Sequence, residues 1–168
     1  MRQSPFSVNV AALRLEPGTR RPVRRRGPIT GLRVTGSSVA DDAVVDVDVV
    51  LEGLPRAVVA RGVVAAPWQG ECRRCLRPVE GELRSEVVEL FEEGHDPEQT
   101  YPLAGDELDL EPLAREAVLL ELPQVPLCRD ACEGLCPYCG AELNEGPCGC
   151  EAVEGDPRWA ALDALRET

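Results

Sequence analysis

Eight cysteines distributed very unevenly limit what this chain can fold into more than any other feature. Six fall in one short run, Cys128-Arg-Asp-Ala-Cys132-Glu-Gly-Leu-Cys136-Pro-Tyr-Cys139-Gly-Ala-Glu-Leu-Asn-Glu-Gly-Pro-Cys148-Gly-Cys150, and the other two form Cys72-Arg-Arg-Cys75 upstream. Such density means a disulfide framework, redox thiols or a metal site. The first residues, Met1 to Val10, lead into no apolar core or small-residue cleavage site, so they do not read as a secretory signal. No apolar run approaches the roughly 20 residues needed to cross a bilayer. The chain therefore reads as cytoplasmic, where thiols stay reduced and disulfides are disfavoured.

Spacing points to metal. In Cys136-Pro-Tyr-Cys139-Gly140, two thiolates separated by two residues share one side of a tight turn. Gly140 is free to take positive φ, so that backbone N–H groups point at the sulfurs. Cys148-Gly149-Cys150 is a tighter pair, with Gly149 easing the turn. Cys136, Cys139, Cys148 and Cys150 make a four-thiolate set suited to tetrahedral zinc. Cys72 with Cys75, and Cys128 with Cys132 at helical-turn spacing, supply a second candidate set. Spacing alone leaves the count at one or two structural zinc ions and does not decide which pairs share an ion.

The rest of the chain reads as α+β: an antiparallel sheet, open or partly closed into a barrel, with a packed helix and the cysteine-rich segment. Three parts are expected, a β-rich body over 1–125, the zinc-binding segment over 126–152, and a C-terminal helix over 153–168. Aromatic residues make up only 4% of the chain, so valine, leucine and alanine must build the core. Phe6, Val8, Val10 and Leu13 suggest an edge strand. Val45, Val47, Val49 and Leu51 alternate with Asp46, Asp48, Val50 and Glu52, the period of a strand with one wet face. A turn at Gly53–Arg56 leads to a valine-rich partner strand with Gly62 as a candidate bulge. A third strand runs over 82–91, which sets Cys72-Arg-Arg-Cys75 at a hairpin tip. Residues 92–108 read as an acidic loop whose one histidine, His95, is expected to be solvated. A helix is expected at about 109–122, with Asp109 as N-cap and Pro112 in its first turn. The last helix would start at Asp156-Pro157 and carry Trp159, Leu162 and Leu165.

The net charge is −12 and the chain contains no lysine. Its own field repels phosphates, which favours a basic protein over bare nucleic acid as partner. The exception is the Arg-rich stretch 16–28, with Arg20, Arg21, Arg24, Arg25 and Arg26 among prolines and glycines. It reads as an exposed loop, either a linker or an arm that touches RNA. There is no phosphate-binding glycine loop, no zincin motif and no nucleophile elbow, and all-cysteine zinc sites are closed and structural. The expectation is a non-enzyme with no small-molecule substrate.

Several passages, in this order, resemble the YceD family of large ribosomal RNA subunit accumulation proteins. They are Glu71-Cys72-Arg-Arg-Cys75-Leu76; Leu108-Asp109-Leu110-Glu111-Pro112 with Leu119-Leu120-Glu121-Leu122-Pro123; Val125-Pro126-Leu127-Cys128; and Gly134-Leu135-Cys136-Pro137-Tyr138-Cys139-Gly140. The closing Asp156-Pro157-Arg158-Trp159 agrees. The resemblance spans roughly residues 70–166; upstream, only the β character agrees. It implies a ribosome biogenesis factor that supports 23S rRNA synthesis, processing or stability. The implied partner is a large-subunit precursor, met through basic ribosomal protein or 23S rRNA. The resemblance also suggests pairing Cys72 and Cys75 with Cys128 and Cys132. The alternative is a zinc-ribbon-type adaptor, regulator or zinc store acting on a non-ribosomal protein.

Overall fold

The computed structural model describes residues 4–150. The helix expected over 153–168 lies outside them. Long antiparallel strands dominate. β4 (Val44–Leu54), β5 (Ala57–Glu71) and β6 (Pro78–Glu92) follow one another as a meander, and β2 (Arg20–Pro28) pairs with β4. The short β3 (Ser37–Ser38) joins β5, and β7 (Tyr101–Pro102) runs parallel to the end of β6. The strand order β2-β4-β5-β6-β7 never closes on itself. The sheet is open, so the barrel alternative is discarded. A separate ribbon pairs β1 (Ser7–Asn9) with β8 (Glu107–Asp109), and among the described residues two α-helices, α1 (Ala11–Leu15) and α2 (Glu111–Glu121), and a short 3-10 helix at Leu143–Glu145 complete the fold.

Alternation explains the core. Val45, Val47, Val49 and Leu51 of β4 are buried, as are Val58, Ala60, Val64 and Ala66 of β5 and Leu83, Val87 and Phe91 of β6. Their common face is covered by Phe6, Val8, Val10, Leu13, Leu108, Leu110, Leu113, Ala114, Ala117 and Val118. The N-terminal apolar residues thus cap the sheet through the small ribbon and α1 instead of adding a strand to its edge. Asp109 accepts a hydrogen bond from the Glu111 N–H at 3.0 Å, at the start of α2. Acidic residues 92–108 are not all loop, because β7 lies within them and β8 begins at Glu107. Gly62 is not a bulge: the β4–β5 and β5–β6 registers run through it without a slip. A Cβ there would lie 2.6 Å from Val49 Cα, so glycine permits close strand approach.

The arginine-rich stretch is the main correction. It is not a loop: residues 20–28 form β2, paired along their whole length with β4. Val23 and Gly27 face inward and are buried. Arg20 bonds Glu52 at 3.1 Å, Arg24 bonds Asp46 at 2.5 Å, and Arg26 lies 3.3 Å from Asp46. The Arg24 hydrogen bond holds the Asp46 carboxyl below its usual range. Arg21 donates to the Asn9 carbonyl and Arg25 to the Ser7 carbonyl. Prolines 22 and 28 suggested a broken backbone, but an edge strand tolerates proline. The acidic face of β4 offers these arginines cross-strand partners.

Candidate metal centres

The β5–β6 hairpin continues until only residues 72–77 connect its strands, and this tip is the first knuckle. Cys72 N–H bonds the Arg77 carbonyl at 2.8 Å, and Leu76 N–H bonds the Cys72 carbonyl at 2.9 Å. The second knuckle repeats this geometry. Cys136 N–H bonds the Ala141 carbonyl at 2.8 Å, and Gly140 N–H bonds the Cys136 carbonyl at 2.9 Å. The residue after the second cysteine is left-handed in both, with φ +60° at Leu76 and +73° at Gly140. That conformation turns successive N–H groups toward the first sulfur. Cys72 is drawn down to about 6, chiefly by the N–H of Cys75, with those of Cys128 and Arg74 adding. Cys136 is drawn down to about 6 by the N–H groups of Cys139 and Tyr138.

Folding gathers all eight cysteines into two sets. Cys72, Cys75, Cys128 and Cys132 form one, and Cys136, Cys139, Cys148 and Cys150 the other; within each, the sulfurs all lie within 4.8 Å of one another. Cys72 Sγ is 3.8 Å from Cys132 Sγ, and Cys75 Sγ is 3.7 Å from Cys128 Sγ. A disulfide needs about 2.05 Å, and all eight thiols are free. Sulfurs at the corners of a tetrahedron, each about 2.3 Å from a central zinc, are separated by about 3.8 Å. Two of the first set's six edges therefore already have the length of such a site, and the others stay within 4.8 Å. Crowding pushes other thiols up, Cys128 to about 12 through its contact with Cys132, and Cys150 to about 12 through Cys139 and Cys148. Four sulfurs this close resist ionising together, and a dication at their centre is the charge that lets all four do so. The donor sets fit a metal ion, and zinc would supply a closed, structural cross-link.

Environments differ between the sets. Cys72, Cys75 and Cys132 are buried in a small core with Val79, Leu127 and Leu135. In the second set only Cys136 is buried, whereas Cys139 and Cys150 are exposed. The two are joined by contacts that cysteine spacing did not reveal. Arg74 donates to the Cys132 carbonyl at 2.8 Å and the Asp130 carbonyl at 3.1 Å, and its own carbonyl accepts from Leu135 N–H at 3.1 Å. Arg77 pairs with Glu142 at 3.1 Å and Glu145 at 2.6 Å. Asn144, from between the second set's ligand pairs, donates to Cys132 Sγ at 3.4 Å and is the first cause of that thiol's lowered pKa. Its side-chain oxygen accepts from Glu133 N–H at 2.9 Å and from Arg129 at 2.6 Å. Neither set includes His95. Among the described residues, no helix is long and apolar enough to cross a membrane.

An open sheet whose hairpin tip anchors two four-cysteine sets defines a class of protein organised around metal-competent thiols. The comparisons with known proteins supply the family. The model of the large ribosomal RNA subunit accumulation protein YceD matches residues 60–166, and the chain belongs to the YceD family. An uncharacterized protein of Mycobacterium tuberculosis is 36% identical over 174 residues, covering 95% of this chain and 80% of that protein. One of Mycobacterium leprae is 32% identical over 164 residues, covering 83% and 71%. The chloroplastic large ribosomal RNA subunit accumulation protein YCED homolog 1 of Arabidopsis thaliana is 37% identical over 67 residues, covering 40% of this chain and 21% of that protein. No solved structure matches the chain.

Proposed function

We propose that this protein is a non-enzymatic, cytoplasmic ribosome biogenesis factor that supports 23S rRNA accumulation and is stapled by two structural zinc ions. The observation that carries the reading is the family match over residues 60–166, a stretch that includes every cysteine. The body over 1–125 and the segment over 126–152 act as one unit, since the first zinc takes ligands from both. The partner is a large-subunit precursor, reached through a basic ribosomal protein or 23S rRNA. Arg21 and Arg25 are given to backbone carbonyls, so any RNA contact made by β2 falls to the outward Arg20, Arg24 and Arg26, and it must displace their carboxylate partners. The test is the ratio of 23S to 16S rRNA in cells depleted of the protein. A selective fall in 23S supports the reading, and an unchanged ratio overturns it.

The exposure of Cys139 and Cys150 favours a second reading, a zinc-ribbon-type adaptor or store that gives up metal to other proteins. A store would yield zinc from the second set to a mild chelator while the sheet stays folded and would pass it to an apo-acceptor. A protein that retains both ions under the same chelator is not a store.

A further inference from the structure

β6 is bonded to β5 along all fifteen of its residues, but on its other side it meets β7 only at Phe91 and Glu92. Glu92 directs its carbonyl away from β5, to the Leu103 N–H at 3.0 Å. Residues two apart in a strand turn their backbone groups to the same side. The N–H and C=O groups of Glu80, Glu82, Arg84, Glu86 and Val88 therefore all face this second side. Among the described residues nothing is paired there. The side chains of these five residues are exposed and share the sheet's outer face.

An uncovered edge of this length is a template for another strand, and the side chains beside it select the occupant. Glu80, Glu82 and Glu86 set one sign of charge along the edge, against the single Arg84. A second copy of this chain would bring the same glutamates opposite these, and like charges directly across a ladder destabilise it. RNA would meet them with phosphates. A strand with lysine or arginine at alternate positions would meet them with complementary charge and satisfy the unpaired backbone groups as well.

We propose that the free edge of β6 from Glu80 to Val88 binds an extended, basic segment of a partner protein as an added β-strand. That the partner is ribosomal rests on the preceding reading; the edge itself does not.

The probe is a synthetic peptide of roughly ten residues, about one β-strand long, alternating lysine and threonine, added to the zinc-loaded, isotope-labelled full chain. Binding is followed by calorimetry and by amide exchange. The peptide should bind with an affinity that falls as salt rises, and it should newly protect the amides of Glu82, Arg84, Glu86 and Val88. The intervening amides of Leu83, Ser85 and Val87 already face β5 and should change little. Glu86→Pro removes one outward N–H without touching the bonds to β5, and it should abolish the protection. Should that variant fail to fold, the double change Glu82→Lys with Glu86→Lys decides the matter. It should weaken the lysine peptide about tenfold and admit a glutamate–threonine peptide of the same length.

Three results would each overturn the proposal: peptide binding without the alternating protection, equal binding of both peptides by the native chain, or protection of this edge by an oligouridylate RNA. The depletion ratio is a separate readout. Protection with an unchanged 23S to 16S ratio would leave the edge and remove the ribosome; a fall in 23S without protection would do the reverse.

Discussion

The two cysteine sets share one knuckle geometry and differ in what surrounds it. The first lies at the tip of a long hairpin, with three of its four cysteines buried against Val79, Leu127 and Leu135. The second lies further out, with two of its four exposed, and its backbone is held by a few bonds such as Leu143 N–H to the Gly134 carbonyl and Gly146 N–H to the Leu143 carbonyl. Knuckle geometry sets how strongly sulfur is drawn to a cation, because that depends on a few local N–H groups. Burial sets what else is lost when the ion leaves. At the first set, loss of metal would leave crowded thiols in an apolar pocket between two chain segments. At the second it would free a surface loop.

The largest test of this contrast is to remove one ligand from each. Cys72→Ala should cost one metal equivalent and lower Tm by more than about 10 °C, because the hairpin tip and the 126–136 segment lose their common anchor. Cys139→Ala should also cost one equivalent but shift Tm by only about 3 °C. Equal shifts would mean that burial does not divide the two sets. Acid should affect both sets alike. Cys72 and Cys136 each sit at about 6, below an ordinary 9.0. Stabilisation from a thiolate with a depressed pKa is fully present above the unfolded value and fades as pH falls through the folded one. Metal release followed with a thiol-insensitive dye should therefore steepen near pH 6 for both sets. A first set that holds its ion far into acid would give burial the larger part.

Smaller effects probe the seam between the sets. Asn144→Ala removes the amide that reaches Cys132 and should weaken metal binding at the first set about tenfold, although Asn144 lies between ligands of the second. Competition titration of the two sites would detect this; a loss confined to the second set would deny the cross-support. The smallest test exchanges the left-handed positions. Leu76 holds φ +60° with a side chain, a strained choice, so Leu76→Gly should stabilise by about 0.5 kcal/mol and Gly140→Leu should destabilise by about 1 kcal/mol. Thermal melts of the zinc-loaded variants would show both signs.

Where periodicity was strong, the sequence was readable. The valines of β4 and β5, the turn at Pro55-Arg56 and the placement of Cys72 and Cys75 at a hairpin tip follow from local alternation and short connections. The grouping of cysteines was half readable. Adjacent pairs announced themselves, but which pairs meet depends on how the 126–136 segment docks on the hairpin through Arg74 and Pro126, whose carbonyl accepts from Arg73 N–H at 2.9 Å. The arginine stretch looks like a loop from its own proline and glycine content, whereas the partners that make it a strand, Asp46 and Glu52, lie on β4. Asn144 carried no signal, since an asparagine in a glycine-rich turn looks like any other turn residue. Leu76 could have been found by aligning Cys72-Arg-Arg-Cys75-Leu76 on Cys136-Pro-Tyr-Cys139-Gly140.

The separation of the first set's ligands along the chain bears on how the protein is made. Cys72 and Cys132 lie 60 residues apart, and Cys75 and Cys128 lie 53 apart. During synthesis the hairpin that carries Cys72 and Cys75 can form while the other two ligands are still untranslated, because its contacts are local. For that interval the nascent chain exposes a half-built thiolate pair. Completion must wait until β7, β8 and α2 have been threaded and closed into a long loop, whose entropic cost grows only slowly with its length. Metal capture at this set would thus be a late event, and it would report that the polypeptide between its ligands has found its place.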